Sequence, residues 1–189
     1  MRKSLITAIV AASLFTLAAC SNDDDTDTAA SHNEADVTFA QEMIPHHQQA
    51  IEMADLAESR AESQEVKDLA TDIEAAQGPE IETLTGWLES WGEDVPDEGM
   101  SGMDHGDMSS DDMGGMMTED EMADLEAASG AEFDQMFLTM MIEHHEGAIE
   151  MAKTEQQDGE YGPAIDLAKT IEETQTEEIA TMKELLGNS

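Results

Sequence analysis

Two adjacent histidine pairs, His46-His47 and His144-His145, are the residues best suited to chemistry in this 189-residue chain. Methionines stand one turn before each pair: Met43 is three residues before His46, and Met140 and Met141 are four and three before His144. Residues three or four apart on an α-helix share a face, so this spacing brings imidazole nitrogen near thioether sulfur. Adjacent helical residues point about 100° apart, so the two rings of a pair diverge and do not chelate one ion. His46 falls on a seam with Phe39, Met43, Ala50 and Met53, whereas His47 turns toward a neighbouring helix. Imidazole plus thioether without thiolate is a ligand set that suits copper, Cu(I) preferring the methionine sulfurs. A carboxylate-bridged di-iron site would place Glu three residues before His. Those positions hold Met43, Ile44, Met141 and Ile142 instead.

The histidines belong to a unit that is written twice. Phe39 to Ala54 recurs as Phe137 to Ala152, a shift of 144 − 46 = 98 residues. The same shift carries Leu69-Ala70 onto Leu167-Ala168, Ile73 onto Ile171, Gln77 onto Gln175, Glu80-Ile81 onto Glu178-Ile179 and Leu88 onto Leu186. Each unit reads as two amphipathic helices with no convincing strand alternation. A single hairpin is too thin to bury its own apolar stripe, so the expected fold is all-α, one four-helix bundle with an approximate two-fold axis. The first hairpin covers 36–90; a short helix capped by Thr118 and Glu121 precedes the second within 118–186. Gly78-Pro79 predicts a kink in the second helix, and Gly187 suits the C-cap of the last. Met53 and Met151 also lie on the seam, as core filler or as ligands. Gln77 and Gln175 are polar residues in an apolar stripe and are expected to orient imidazoles.

Between the hairpins, residues 91–117 form a long crossover rich in Gly, Asp, Ser and Met. Met100-Ser-Gly-Met103 and Met113-Gly-Gly-Met116 are Met-x-x-Met arrays. Met103-Asp-His105-Gly-Asp-Met108 resembles a Met-Asp-His-x-x-Met motif of periplasmic copper-resistance proteins. Thioethers in a solvated loop gain nothing by packing and are open to oxidation, which favours Met103, His105 and Met108 as ligands.

The N-terminus predicts where the protein works. Arg2 and Lys3 precede an apolar stretch, Leu5 to Leu17, that is short for a membrane span. It ends in Leu17-Ala18-Ala19-Cys20, which resembles a bacterial lipobox. Residues 1–19 are therefore expected to be a signal peptide, Cys20 to be lipidated, and residues 20–33 to tether an exported domain (34–189) to the outer face of a cell membrane. Cys20 is the only cysteine, so disulfides, thiolate metal sites and a cysteine nucleophile are excluded. With 45 acidic and 7 basic residues the net charge is −38. Loss of Arg2 and Lys3 leaves 7 − 2 = 5 basic residues and a charge of −40. Such a surface repels nucleic acid and anionic lipid and gathers cations weakly.

The Met-Ile-Pro-His46-His47-Gln-Gln-Ala-Ile-Glu-Met53-Ala run and its copy through Met151, each followed by Leu-Ala-x-x-Ile-x-x-x-Gln-x-x-Glu-Ile, resemble the domain-of-unknown-function 305 family. That resemblance implies a ferritin-like four-helix bundle and exported proteins associated with copper or silver. Carried over by position, it makes His46, His47, His144, His145, Met43 and Met141 the candidate ligands. The expected function is Cu(I) sequestration or delivery by a lipoprotein that is not an enzyme, with silver as a second candidate ion. Its partners would be the metal ion, the membrane through its lipid, and a copper-handling protein or a second copy of the chain. A metal-free envelope scaffold is the alternative, and a copper-dependent redox enzyme the weakest reading.

Overall fold

Side-chain caps fix where most of the helices begin. The computed structural model describes residues 31–96 and 114–188, and five helices account for most of them: α1 Glu34–Arg60, α2 Gln64–Trp91, α3 Glu119–Ala127, α4 Ala131–Asp158 and α5 Gly162–Asn188. Asn33 opens α1 by accepting hydrogen bonds from the amides of Ala35 and Asp36, while the Asp36 carboxylate accepts from the Asn33 amide at 2.6 Å. Thr118 and Glu121 make the same reciprocal box at α3. Both boxes satisfy amides that the first turn of a helix leaves free. Between α3 and α4 the chain turns at Gly130, whose φ of +68° favours glycine.

One boundary expectation is corrected: α5 continues past Gly187 to Asn188. α2 stays helical through Gly78-Pro79. Proline removes one hydrogen bond from a helix, and the apolar residues on either side of Pro79, Ile73 and Leu84, are both fully buried and hold the helix against its neighbours. Pro45 is likewise carried inside α1.

α1 packs on α2 and on α4, and α4 packs on α5, so α1 and α4 form the central pair. They run antiparallel: the Asn33 side chain at the start of α1 donates to the Asp158 carbonyl at the end of α4 (2.7 Å), and Ala61 pairs with Gly130 at the opposite end. Equivalent contacts recur 98 residues apart. Asp36 accepts from the backbone amides of Glu160 and Tyr161 in the α4–α5 turn, and Asp134 accepts from those of Glu62 and Ser63 in the α1–α2 turn.

The core divides into two apolar clusters. One gathers Ala50, Met53, Ile73, Phe133, Phe137 and Met141; the other gathers Phe39, Met43, Leu84, Leu88, Ala148 and Ile171. Along the sequence, each long helix crosses between the clusters through buried polar residues: His46 and His47 on α1, Gln77 on α2, His144 and His145 on α4, Gln175 on α5. The bundle thus has a polar waist. Among the described residues no helix is long and apolar enough to cross a membrane.

Candidate metal centre

The seam positions of α1 and α4 place His46 and His144 against each other at the centre of the bundle. Their ring centroids are 3.7 Å apart with planes at 41°, and both residues are fully buried. Among the described residues none of the four ring nitrogens of this inner pair meets hydrogen-bond geometry. Buried polar atoms in folded proteins almost always find a partner, so four orphans in one contact call for a ligand.

The outer pair points away, as the 100° rule requires. His144 and His145 have centroids 6.4 Å apart. His47 reaches α2, where its Nε2 lies 2.7 Å from a carboxylate oxygen of Glu80, and His145 reaches α5, where Nε2 lies 2.7 Å from Glu178. Each outer Nδ1 is buried without a partner. A carboxylate on one ring nitrogen orients the imidazole and fixes its tautomer, leaving the other nitrogen as a lone-pair donor.

Burial sets the charge state of the inner pair. It pushes His46 down to about 3, helped by the positive charge that His47 and His145 can carry and opposed by the Gly114 carbonyl beside the ring. Burial likewise holds His144 well below the ordinary histidine value, with His46, His145 and His47 adding to it. Both rings are therefore neutral at physiological pH, the form that binds metal ions.

The thioethers flank this waist. Met43 and Met141 are fully buried, each one turn before its inner histidine and each in a different apolar cluster. Met53 and Met140 are buried in the cluster of Met141, and Met151 is half-buried against the other. Met103, His105, Met108 and Cys20 lie outside the described residues. Among the described residues no group of three or more His, Cys, Asp or Glu side chains is placed to hold an ion, so a carboxylate-bridged di-iron centre has no ligand set here. A site at the waist has to draw on sulfur as well as nitrogen.

No hydrogen bond from Gln77 or to the Gln175 carbonyl oxygen orients a ring among the described residues. Both glutamines are buried, but neither Gln77 amide atom nor the Gln175 carbonyl oxygen has a hydrogen-bond partner among the described residues. Glu80 and Glu178 hold the outer rings instead. In the sequence these two residues stand out only as part of the repeat. The available signal was an acidic residue repeated one turn after each glutamine, on the same helix face.

Residues 36–186 match the family model described as Domain of unknown function (DUF305). The chain belongs to this family. A DUF305 protein from Streptomyces coelicolor is 35% identical, with a TM-score of 0.72 over 82% of this chain and 93% of that one. A DUF305 fragment from Deinococcus radiodurans is 30% identical, with a TM-score of 0.73 over 83% and 98%. CopM in its Cu(II)-bound form is 34% identical, with a TM-score of 0.67 over 81% and 96%. CopM has also been solved with Cu(I) and with silver. A search of curated proteins finds no match.

Proposed function

We propose that this DUF305 chain binds copper as cargo, preferring Cu(I), through His46, His144 and the flanking Met43 and Met141, and sequesters it or hands it on without catalysing a reaction. The observation that carries the reading is the inner pair: two neutral, fully buried imidazoles in contact, none of whose ring nitrogens meets hydrogen-bond geometry, although backbone carbonyls of Gly114 and His46 lie beside the rings. Copper binding would draw in the outer Nδ1 atoms, oriented by Glu80 and Glu178, from positions that do not converge on one point in the metal-free chain. Buried thioethers bias such a set toward Cu(I). CopM, bound to copper and silver on the same fold, supports the same ion class. We place the protein outside the cytoplasm, held to a membrane by lipid on Cys20, with Met103, His105 and Met108 as weaker capture ligands; the lipobox-like sequence and the Met-x-x-Met arrays support this. A copper-handling protein or a second copy of the chain would take the ion.

Native mass spectrometry with Cu(I) under reducing conditions tests the reading. Wild type should take up copper, and His46→Ala/His144→Ala should lose the tightest-bound ion while keeping its helical circular dichroism. Equal uptake by both would refute it. A metal-free structural role has one observation in its favour, the two His–Glu hydrogen bonds, which tie each outer ring to the second helix of its hairpin. That reading predicts lower melting temperatures for His47→Ala and His145→Ala with copper tolerance of cells unchanged.

A further inference from the structure

The two hairpins match closely at the waist, where residues 43–53 differ from 141–151 at three positions, and one of those differences bears on the crossover. Gln49 in α1 corresponds to Gly147 in α4 (147 − 49 = 98), and each deals with the same piece of crossover. The Gln49 amide forms a two-point contact with the backbone of Met117: its Nε2 donates to the Met117 carbonyl at 2.8 Å, and its Oε1 accepts from the Met117 amide at 2.7 Å. Gln49 is buried, as is the Met117 side chain, which enters the apolar cluster of Met141. On the other helix, Gly147 leaves room that any side chain would fill. A Cβ there would collide with the Gly114 carbonyl and stand 3.0 Å from the Gly115 Cα. Gly115 is equally constrained: its φ is +85°, and a Cβ on it would lie 2.6 Å from the Glu143 carbonyl oxygen and 3.1 Å from that of His144. The Gly114 carbonyl also stands beside the His46 ring.

Gly114–Met117 therefore lies directly on the backbone of α4 beside both inner histidines. Its Gly114 carbonyl stands beside His46, and its Gly115 packs on the His144 carbonyl. We infer that this segment is a strap that controls access to the inner pair, latched by Gln49 and seated on Gly147. Outside it runs a groove of about 490 Å³ lined by Glu42, Glu150, Glu155 and Met151, which Gly114 and Gly147 also border. Carboxylates there concentrate cations at the strap's edge. The copper role given to the strap rests on the proposed function; its control of access does not.

The experiment uses the full-length protein without metal. Diethyl pyrocarbonate acylates neutral imidazole, and mass spectrometry locates the modified residues. In wild type His46 and His144 should react far more slowly than half-buried His32. Gln49→Ala removes both latch hydrogen bonds and should speed their modification roughly tenfold or more. Gln49→Glu keeps the acceptor for the Met117 amide, loses the donor, and should fall between. Gly147→Ala should also expose them and lower the melting temperature, although alanine for glycine in a helix interior ordinarily raises it. Hydrogen exchange should quicken at the Met117 amide and not across α2 and α5. Unchanged protection in Gln49→Ala and Gly147→Ala would overturn the inference. So would protection lost only together with exchange throughout the bundle, since global opening would then be the route. In the same variants Cu(I) uptake and release should quicken with the number of bound ions unchanged. Exposure without copper binding in any form would leave the strap intact and refute the cargo.

Discussion

Glu155 carries the sharpest consequence of the fold outside the waist. The equivalent position in the first hairpin is Ala57 (155 − 98 = 57), so this acid sits where its counterpart is a buried apolar residue. Burial, together with a hydrogen bond to Asp36 and its negative charge, raises Glu155 to about 8 from an ordinary 4.5. Burial also pushes Asp36 upward, but the hydrogen bond from Glu155 and those from the amides of Asn33, Tyr161 and Glu160 outweigh it and hold Asp36 low. The negative charge of Asp36 and burial thus keep a proton on Glu155 near the junction of α1 with the α4–α5 turn. Between pH 4.5 and 8 the folded chain keeps a proton that the unfolded chain has released, so stability falls as pH rises through that window and levels off above it. The full displacement corresponds to at most ~5 kcal/mol. The effective dielectric of protein sites and relaxation around the pair reduce this to roughly 2 kcal/mol, or a melting-temperature loss of about 4–8 °C. Glu34, Glu42 and Glu150 along the groove and Glu160 and Tyr161 in the turn are common to wild type and variant, so the comparison is between wild type and Glu155→Gln. Thermal melts from pH 5 to 9 should show the wild-type curve falling relative to the variant by that amount. Parallel curves would refute the raised Glu155 carboxyl.

Three further outcomes follow from the waist. Glu80→Ala leaves the buried His47 Nε2 without a partner and should cost about 1–3 kcal/mol in urea unfolding; copper affinity should drop roughly 10–100-fold in a competition assay. Glu178→Ala should behave alike. Met43→Leu/Met141→Leu replaces sulfur by a branched alkyl of similar volume, so unfolding should change by less than about 1.5 kcal/mol per site, while Cu(I) affinity falls and Zn(II) binding does not.

Much of this was legible because the chain repeats itself. A 98-residue shift fixes two hairpins, and 3.6-residue periodicity then assigns His46 and His144 to the seam and His47 and His145 to the flanks. The structure puts the four rings on those faces. The partners of the outer rings were not legible, because Glu80 and Glu178 lie 33 residues from their histidines in a sequence where acidic residues are everywhere. Long-range pairing leaves no periodic trace. Local propensity opposes a helix at Gly78-Pro79, and burial of Ile73 and Leu84 on either side keeps α2 helical through it. The strap was hidden because Gly114-Gly115 and Met117 read as more of the Met- and Gly-rich crossover, and only the Gln49/Gly147 mismatch in the repeat set them apart.

The most direct test is X-ray absorption at the copper edge on the Cu(I)-loaded chain in which Met100, Met103, His105, Met108 and Met113 have been replaced. Both nitrogen and sulfur neighbours around the metal, with the nitrogen signal lost on adding His46→Ala/His144→Ala, is the predicted result. A spectrum of oxygen neighbours alone, or one indifferent to the two histidines, would contradict a copper site at the waist of the bundle.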